Sequence, residues 1–114
     1  MSREGSRRGF VIRLVPGKRA EYERLHAAVW PEVLATITAS GIRNYSIFAK
    51  RLDDGRDYLF ATYEYHGEDF AADQRRMAAD PATQRWWKMT EPLQEPVGAE
   101  GEWWAPMEEV FHHD

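Results

Sequence analysis

Cysteine is absent from this chain of 114 residues, and its absence excludes disulfides, thiolate nucleophiles and cysteine-ligated zinc or iron–sulfur sites together. A reducing compartment fits that composition. Long apolar runs are missing too, so no segment reads as a membrane span. The opening stretch MSREGSRRG lacks the apolar middle of a signal peptide and carries Glu4, which makes the cytoplasm the expected address. Positive charge is not in excess: 15 Lys and Arg against 19 Asp and Glu leave a net charge of -4. Neither phosphate backbones nor anionic lipid would attract such a chain, so no nucleic-acid or membrane partner is expected. There is no glycine-rich phosphate loop, nucleophile elbow or kinase signature. His66, His112 and His113 show no zinc-site spacing, and no metal is expected.

What is present is bulky apolar material. Hydrophobic residues make up 43% and include five Trp, five Tyr and five Phe, enough for one packed domain and its core. The expected domain runs over 9–114, after a flexible N-terminus over 1–8 that contains Arg3, Arg7 and Arg8. RGFVIRLV (8–15) alternates as a strand, with one face of Phe10, Ile12 and Leu14. From about Lys18 to Ser40 the period turns helical: Tyr22, Leu25, His26, Val29, Trp30, Val33 and Ile37 share a stripe. Pro31 should kink or restart that helix, and Gly41 should stop it. IRNYSIFAK (42–50) and DYLFATYEY (57–65) read as a hairpin around the turn signal DDGR. A second helical region begins near Glu68, and Asp80-Pro81 looks like the cap of a short helix carrying Trp86 and Trp87. WAPMEEVFHH (104–113) reads as a last strand, with Pro106 at an edge.

Strand, helix, strand, strand, helix, strand is the ferredoxin-like βαββαβ order of an α+β domain with an antiparallel sheet. Helices would cover one sheet face. Phe48, Phe60, Tyr63 and Phe111 are too apolar to leave the rest in water, and a homodimer packing sheet on sheet is the simplest cover. A register error of one residue would reverse every facing assignment.

His26 is the most informative polar residue, since it interrupts an apolar stripe with Tyr22 one turn before and Trp30 one turn after. It titrates near neutrality and so can move a proton at physiological pH. The competing reading is a core histidine satisfied by a backbone carbonyl, and periodicity alone favours that one. Trp86 and Trp87 are adjacent, so they cannot point the same way. Indole faces suit sugar rings, but they also serve packing and interfaces equally well. Glu32, beside Trp30 and Pro31, is the carboxylate placed to meet a pocket.

EYERLHAAVWPEV, IRNYSIF, QRWWKM and MEEVFH together resemble the L-rhamnose mutarotase family, in order and spacing, from Gly9 to His112. The resemblance implies a ferredoxin-like fold paired into a dimeric α+β barrel. It further implies exchange of the α and β anomers of L-rhamnose without cofactor or metal. By motif position, it implies that His26 is the proton donor, that Tyr22 and Tyr45 touch the sugar, and that Trp86 and Trp87 line its pocket; Trp30 and Glu32 are further pocket candidates. One departure is that many members read Trp-Trp-Lys-Tyr-Met where this chain reads Trp87-Lys88-Met89, which bears on the choice of sugar. Competing readings are a mutarotase for another 6-deoxy sugar such as L-fucose, a dimeric α+β barrel monooxygenase, and a non-catalytic sugar-binding module.

Overall fold

The computed structural model describes residues 6–114. Arg3 and the other residues of 1–5 lie outside the described residues. Strand β1 spans Ser6–Leu14, and Ser6, Arg7 and Arg8 already pair with Tyr65, Glu64 and Tyr63. The folded domain therefore starts before the expected boundary at Gly9, because the neighbouring strand is long enough to hold these residues in its ladder.

After a turn at Gly17, helix α1 runs over Arg19–His26. Pro31 does restart the helix. Trp30 is extended (ψ 136°) and caps a separate helix α2, Pro31–Ala39, with the proline at its first position, as expected for the residue before proline. Gly41 (φ 85°) then turns the chain out. Strands β2 (Ile42–Arg51) and β3 (Asp57–Tyr65) form the expected hairpin. Helix α3 covers Phe70–Ala78, capped by Asp69. Helix α4, Pro81–Thr90, is capped by Asp80, whose carboxylate accepts from Thr83 N at 2.9 Å. A 3-10 turn over Glu91–Leu93 leads into the two-residue strand β4, Gln94–Glu95.

The antiparallel sheet has the order β2-β3-β1-β4, and β5 (Ala105–Met107) pairs with β1 as well. β5 is much shorter than the predicted last strand. Continuing its Gly9↔Met107 register would bring Val110 opposite Ser6, where the described part of β1 begins. Arg7 holds Glu109 at 3.1 Å, but Val110 and Phe111 are 89% and 80% exposed. Phe111 is thus no part of the sheet. Pro106 does sit on an edge, opposite Phe10.

All four helices lie on one face. Ile12, Leu14 and Leu59 of the sheet close with Tyr22 and Leu93 into one core cluster, and Val33, Ala82 and Trp86 form a second between the helices. Tyr63 is buried on this helix side, at 7% exposure, and does not share a face with Phe48 and Phe60 as expected, because it is three residues from Phe60 on a strand of period two. On the other face Val11 pairs with Phe60 and Phe60 with Phe48, an apolar row in which Phe48 is 62% exposed.

Ile12 is fully buried where β1, β3 and α1 meet. Ile12→Ala is expected to destabilise the fold by about 2–5 kcal/mol, and Ile12→Val by about 0.5–1.5 kcal/mol, in urea denaturation.

Candidate functional site

A cavity of about 670 Å³ lies between the sheet and the helix layer. Its floor is Phe10, Ala61, Tyr63, Tyr45 and Ile47 from β1, β3 and the edge strand β2, and its walls come from His26, Val33 and Ile37, from Gln74 and Met77 of α3, from Trp86 and Trp87 of α4, and from Trp104. The volume falls in the usual range for small-molecule sites, and so does a lining of mostly apolar surface with a few polar groups.

His26 is the last residue of α1. Its Nδ1 lies 3.0 Å from Tyr22 O; since a carbonyl only accepts, Nδ1 carries the proton and donates. Nε2 is then the unprotonated nitrogen of the neutral ring, available as an acceptor. Burial lowers the His26 pKa from 6.5, with the Tyr22 hydrogen bond opposing in part, so the neutral ring prevails at physiological pH. Rings fix its plane on both sides. Tyr22 stacks on it at 4.1 Å, Trp86 meets it edge-on at 5.3 Å, and Trp30 meets Trp86 edge-on at 5.2 Å.

The tyrosines are not bases. Burial pushes the Tyr45 hydroxyl up to about 12 even though 41% of the residue is exposed, so its hydroxyl end is the sheltered part. Burial raises the Tyr63 and Tyr22 hydroxyls as well. All three stay protonated near pH 7 and act as hydrogen-bond donors. No carboxylate lines the cavity among the described residues, and no group of three or more His, Asp or Glu is arranged to hold a metal among them. The site therefore offers one near-neutral proton carrier among tyrosine hydroxyls, amides and aromatic faces, with one cation in the lining, Arg43, whose guanidinium donates to the Thr38 and Ile42 carbonyls; this set suits a hydroxylated ligand and proton transfer to it.

Of the residues singled out in the sequence, the structure brings His26, Tyr45, Trp86 and Trp87 to the cavity. Both tryptophans reach it because Trp86 is buried in the helix-layer core while Trp87 packs against that core from the edge. Tyr22 stands one layer back, 4% exposed, with its hydroxyl accepting from Gln94 Nε2 at 3.4 Å. Trp30 backs Trp86 rather than lining the cavity. Glu32 lies on the exposed side of α2 and is no pocket residue, since proline at the first position starts a new helix and turns Glu32 outward. Tyr63, Gln74 and Trp104 were not foreseen. Tyr63 was legible in principle, because the alternation Leu59, Ala61, Tyr63, Tyr65 marks the buried face of β3, whereas Gln74 and Trp104 leave no signal outside the tertiary fold.

The family model for L-rhamnose mutarotase matches residues 7–113. An L-rhamnose mutarotase of Oceanobacillus iheyensis is 34% identical over 108 residues, covering 95% of this chain and 98% of the relative. One of Escherichia coli O8 is 36% identical over 112 residues, covering 93% and 96%. Among solved structures, an L-rhamnose mutarotase of Formosa agariphila superposes with a TM-score of 0.72 at 25% identity, covering 96% of this chain and 99% of that one. A protein of Chloroflexus aurantiacus described as an antibiotic biosynthesis monooxygenase, at TM-score 0.50 and 15% identity, shares the fold alone.

The His26 environment predicts its own titration. In ¹⁵N-detected NMR the ring should show the Nδ1–H tautomer when neutral and a midpoint below 6.5; a midpoint above that value would contradict burial as the dominant influence.

Proposed function

The chain belongs to the L-rhamnose mutarotase family, and from that premise we propose that it interconverts the α and β anomers of L-rhamnose by opening and reclosing the hemiacetal ring. The observation that carries this reading is the neutral His26, with Nδ1 tied to Tyr22 O and its ring held in an aromatic cavity free of carboxylates. His26 is the catalytic acid/base in this reading, Tyr45 and Tyr22 are sugar contacts, and Trp86 and Trp87 form the wall against the sugar face. Of the two tyrosines, Tyr45 lines the cavity, while Tyr22 stands behind His26 with its ring stacked on the imidazole and its hydroxyl on Gln94 Nε2.

The chemistry needs little else. Nε2 of His26 accepts the O1–H proton, and the electron pair of that bond becomes the second bond of the C1 carbonyl. The C1–O5 bond breaks, its electron pair stays on the ring oxygen, and the imidazolium returns the proton there. Rotation about C1–C2 presents the other carbonyl face, and the reverse steps close the ring with no net change in atoms or charge. The phenol O–H groups are placed to hydrogen-bond oxygens that gain charge on the way, and aromatic walls that limit water strengthen those bonds.

The Val11, Phe60 and Phe48 row supports a homodimer joined through the open sheet face, since an apolar row left in water marks an interface. Among the described residues, no helix is long and apolar enough to cross a membrane. The cysteine-free composition favours action in the cytoplasm.

Four measurements test these assignments. By saturation-transfer NMR, His26→Ala should lose about 10²–10⁴-fold in anomer exchange over the uncatalysed rate; a folded variant with full exchange would refute the role of His26. Because the folded pKa of His26 lies below 6.5, exchange should hold as pH falls to that value and decline only below it. Comparison of L-rhamnose with L-fucose locates the preferred sugar, and an unsubstituted protein that binds L-rhamnose in calorimetry yet leaves exchange at the uncatalysed rate would point to a binding module. In analytical ultracentrifugation Phe48→Glu should shift the protein to the monomer, and an unshifted dimer would move the interface elsewhere.

A further inference from the structure

Strand β2 contains one residue more than its neighbour can pair. Arg43 is opposite Glu64 and Ser46 is opposite Thr62, with the register broken between them, so Asn44 and Tyr45 together face Tyr63 alone. This is a β-bulge, which bends a strand and re-aims its side chains. Asn44 has φ 51° and is the only non-glycine residue with positive φ among the described residues. That left-handed conformation is tolerated by glycine and asparagine and strongly disfavoured for β-branched residues.

The bulge changes which residues face the helices. Ile42 precedes it opposite Tyr65, while Ile47 and Ala49 follow it opposite Ala61 and Leu59, and those three β3 partners all belong to the buried face. In a regular strand, residues 42 and 47 would point to opposite faces. The inserted residue reconciles them and leaves Tyr45 on the cavity side, edge-on to Tyr63 at 5.3 Å. Glu64 pins the bulge from the next strand. Its Oε2 accepts from Asn44 Nδ2 at 3.1 Å, and its Oε1 lies 2.9 Å from His66 Nε2.

We propose that Asn44, held in its left-handed conformation and tied to Glu64, is a positioning residue that delivers Tyr45 to the sugar and thereby sets substrate affinity. The proposal rests on the reading of Tyr45 as a sugar contact. Asn44 borders the cavity beside Tyr45, but its side-chain amide is taken up by Glu64, so its effect on the sugar runs through the backbone.

The test combines substitutions at 44, 45 and 64 with KM and kcat for L-rhamnose anomer exchange, each variant checked for folding by circular dichroism. Asn44→Val should raise KM about tenfold or more while kcat changes far less, since the affected contact serves binding. Asn44→Gly keeps the conformation available and should stay within about threefold of the parent. In a Tyr45→Ala background Asn44→Val should add nothing, because the two changes remove the same contact. Should Asn44→Val fail to fold, Glu64→Ala leaves the residue at 44 in place and should give a smaller KM rise that also vanishes in the Tyr45→Ala background. Equal KM losses for the valine and glycine variants, or losses that add to that of Tyr45→Ala, would overturn the proposal and leave Tyr45 as a sugar contact. An unchanged KM in Tyr45→Ala alone would remove the Tyr45 reading, and the proposal with it.

Discussion

Four aromatic rings in series join three of the helices and set the site between them. Tyr22 stacks on His26, His26 meets the edge of Trp86, and Trp86 meets the edge of Trp30, with centroid separations from 4.1 to 5.3 Å. The row begins in α1, crosses to α4 and ends at the cap of α2. Edge-on and offset contacts of this kind add roughly 0.5–1.5 kcal/mol apiece beyond the area they bury. They also leave the imidazole almost no freedom to rotate. A proton carrier that needs a fixed direction thus gets it from the same packing that joins the helix layer to the sheet.

His26 also shows why two readings of a buried histidine need not compete. A ring with two nitrogens can satisfy a backbone carbonyl with one and keep the other for chemistry. Here the Tyr22 carbonyl, one helical turn back, takes the Nδ1 proton and fixes the tautomer. The structural hydrogen bond is the device that leaves Nε2 basic. Periodicity alone favoured the purely structural role because a helical wheel shows where a side chain lies and says nothing of its two ends.

Most of the architecture was legible because it rests on local rules. Pro31 after an extended Trp30, Gly41 at a helix end, Asp80-Pro81 at a helix start and DDGR in a hairpin each act within a few residues of themselves. What escaped was set at longer range. The left-handed Asn44 carries no signal in a run that reads as plain strand, yet it changes which side chains face the helices from that point on. Trp104 and Gln74 enter the cavity only because β5 folds back on β1 and α3 packs beside α4. The last strand was read too long because EEVF has strand composition, whereas the ladder with β1 stops at Gly9↔Met107 and Val110 and Phe111 stand exposed. At the Trp87-Lys88-Met89 departure from the family pattern, Trp87 lines the cavity while Met89 is 41% exposed and does not.

The break between α1 and α2 has an electrical consequence. Helix α1 ends at His26, before the break, which puts the imidazole at the carbonyl end of a helix, where the aligned peptide dipoles present partial negative charge. A desolvated ring resists taking a proton; a helix terminus eases it. A ring in mid-helix would have burial against it and little to compensate, whereas one at the terminus can gain and release charge on each turnover with a smaller swing in energy. The end of α1 thus works against burial at His26.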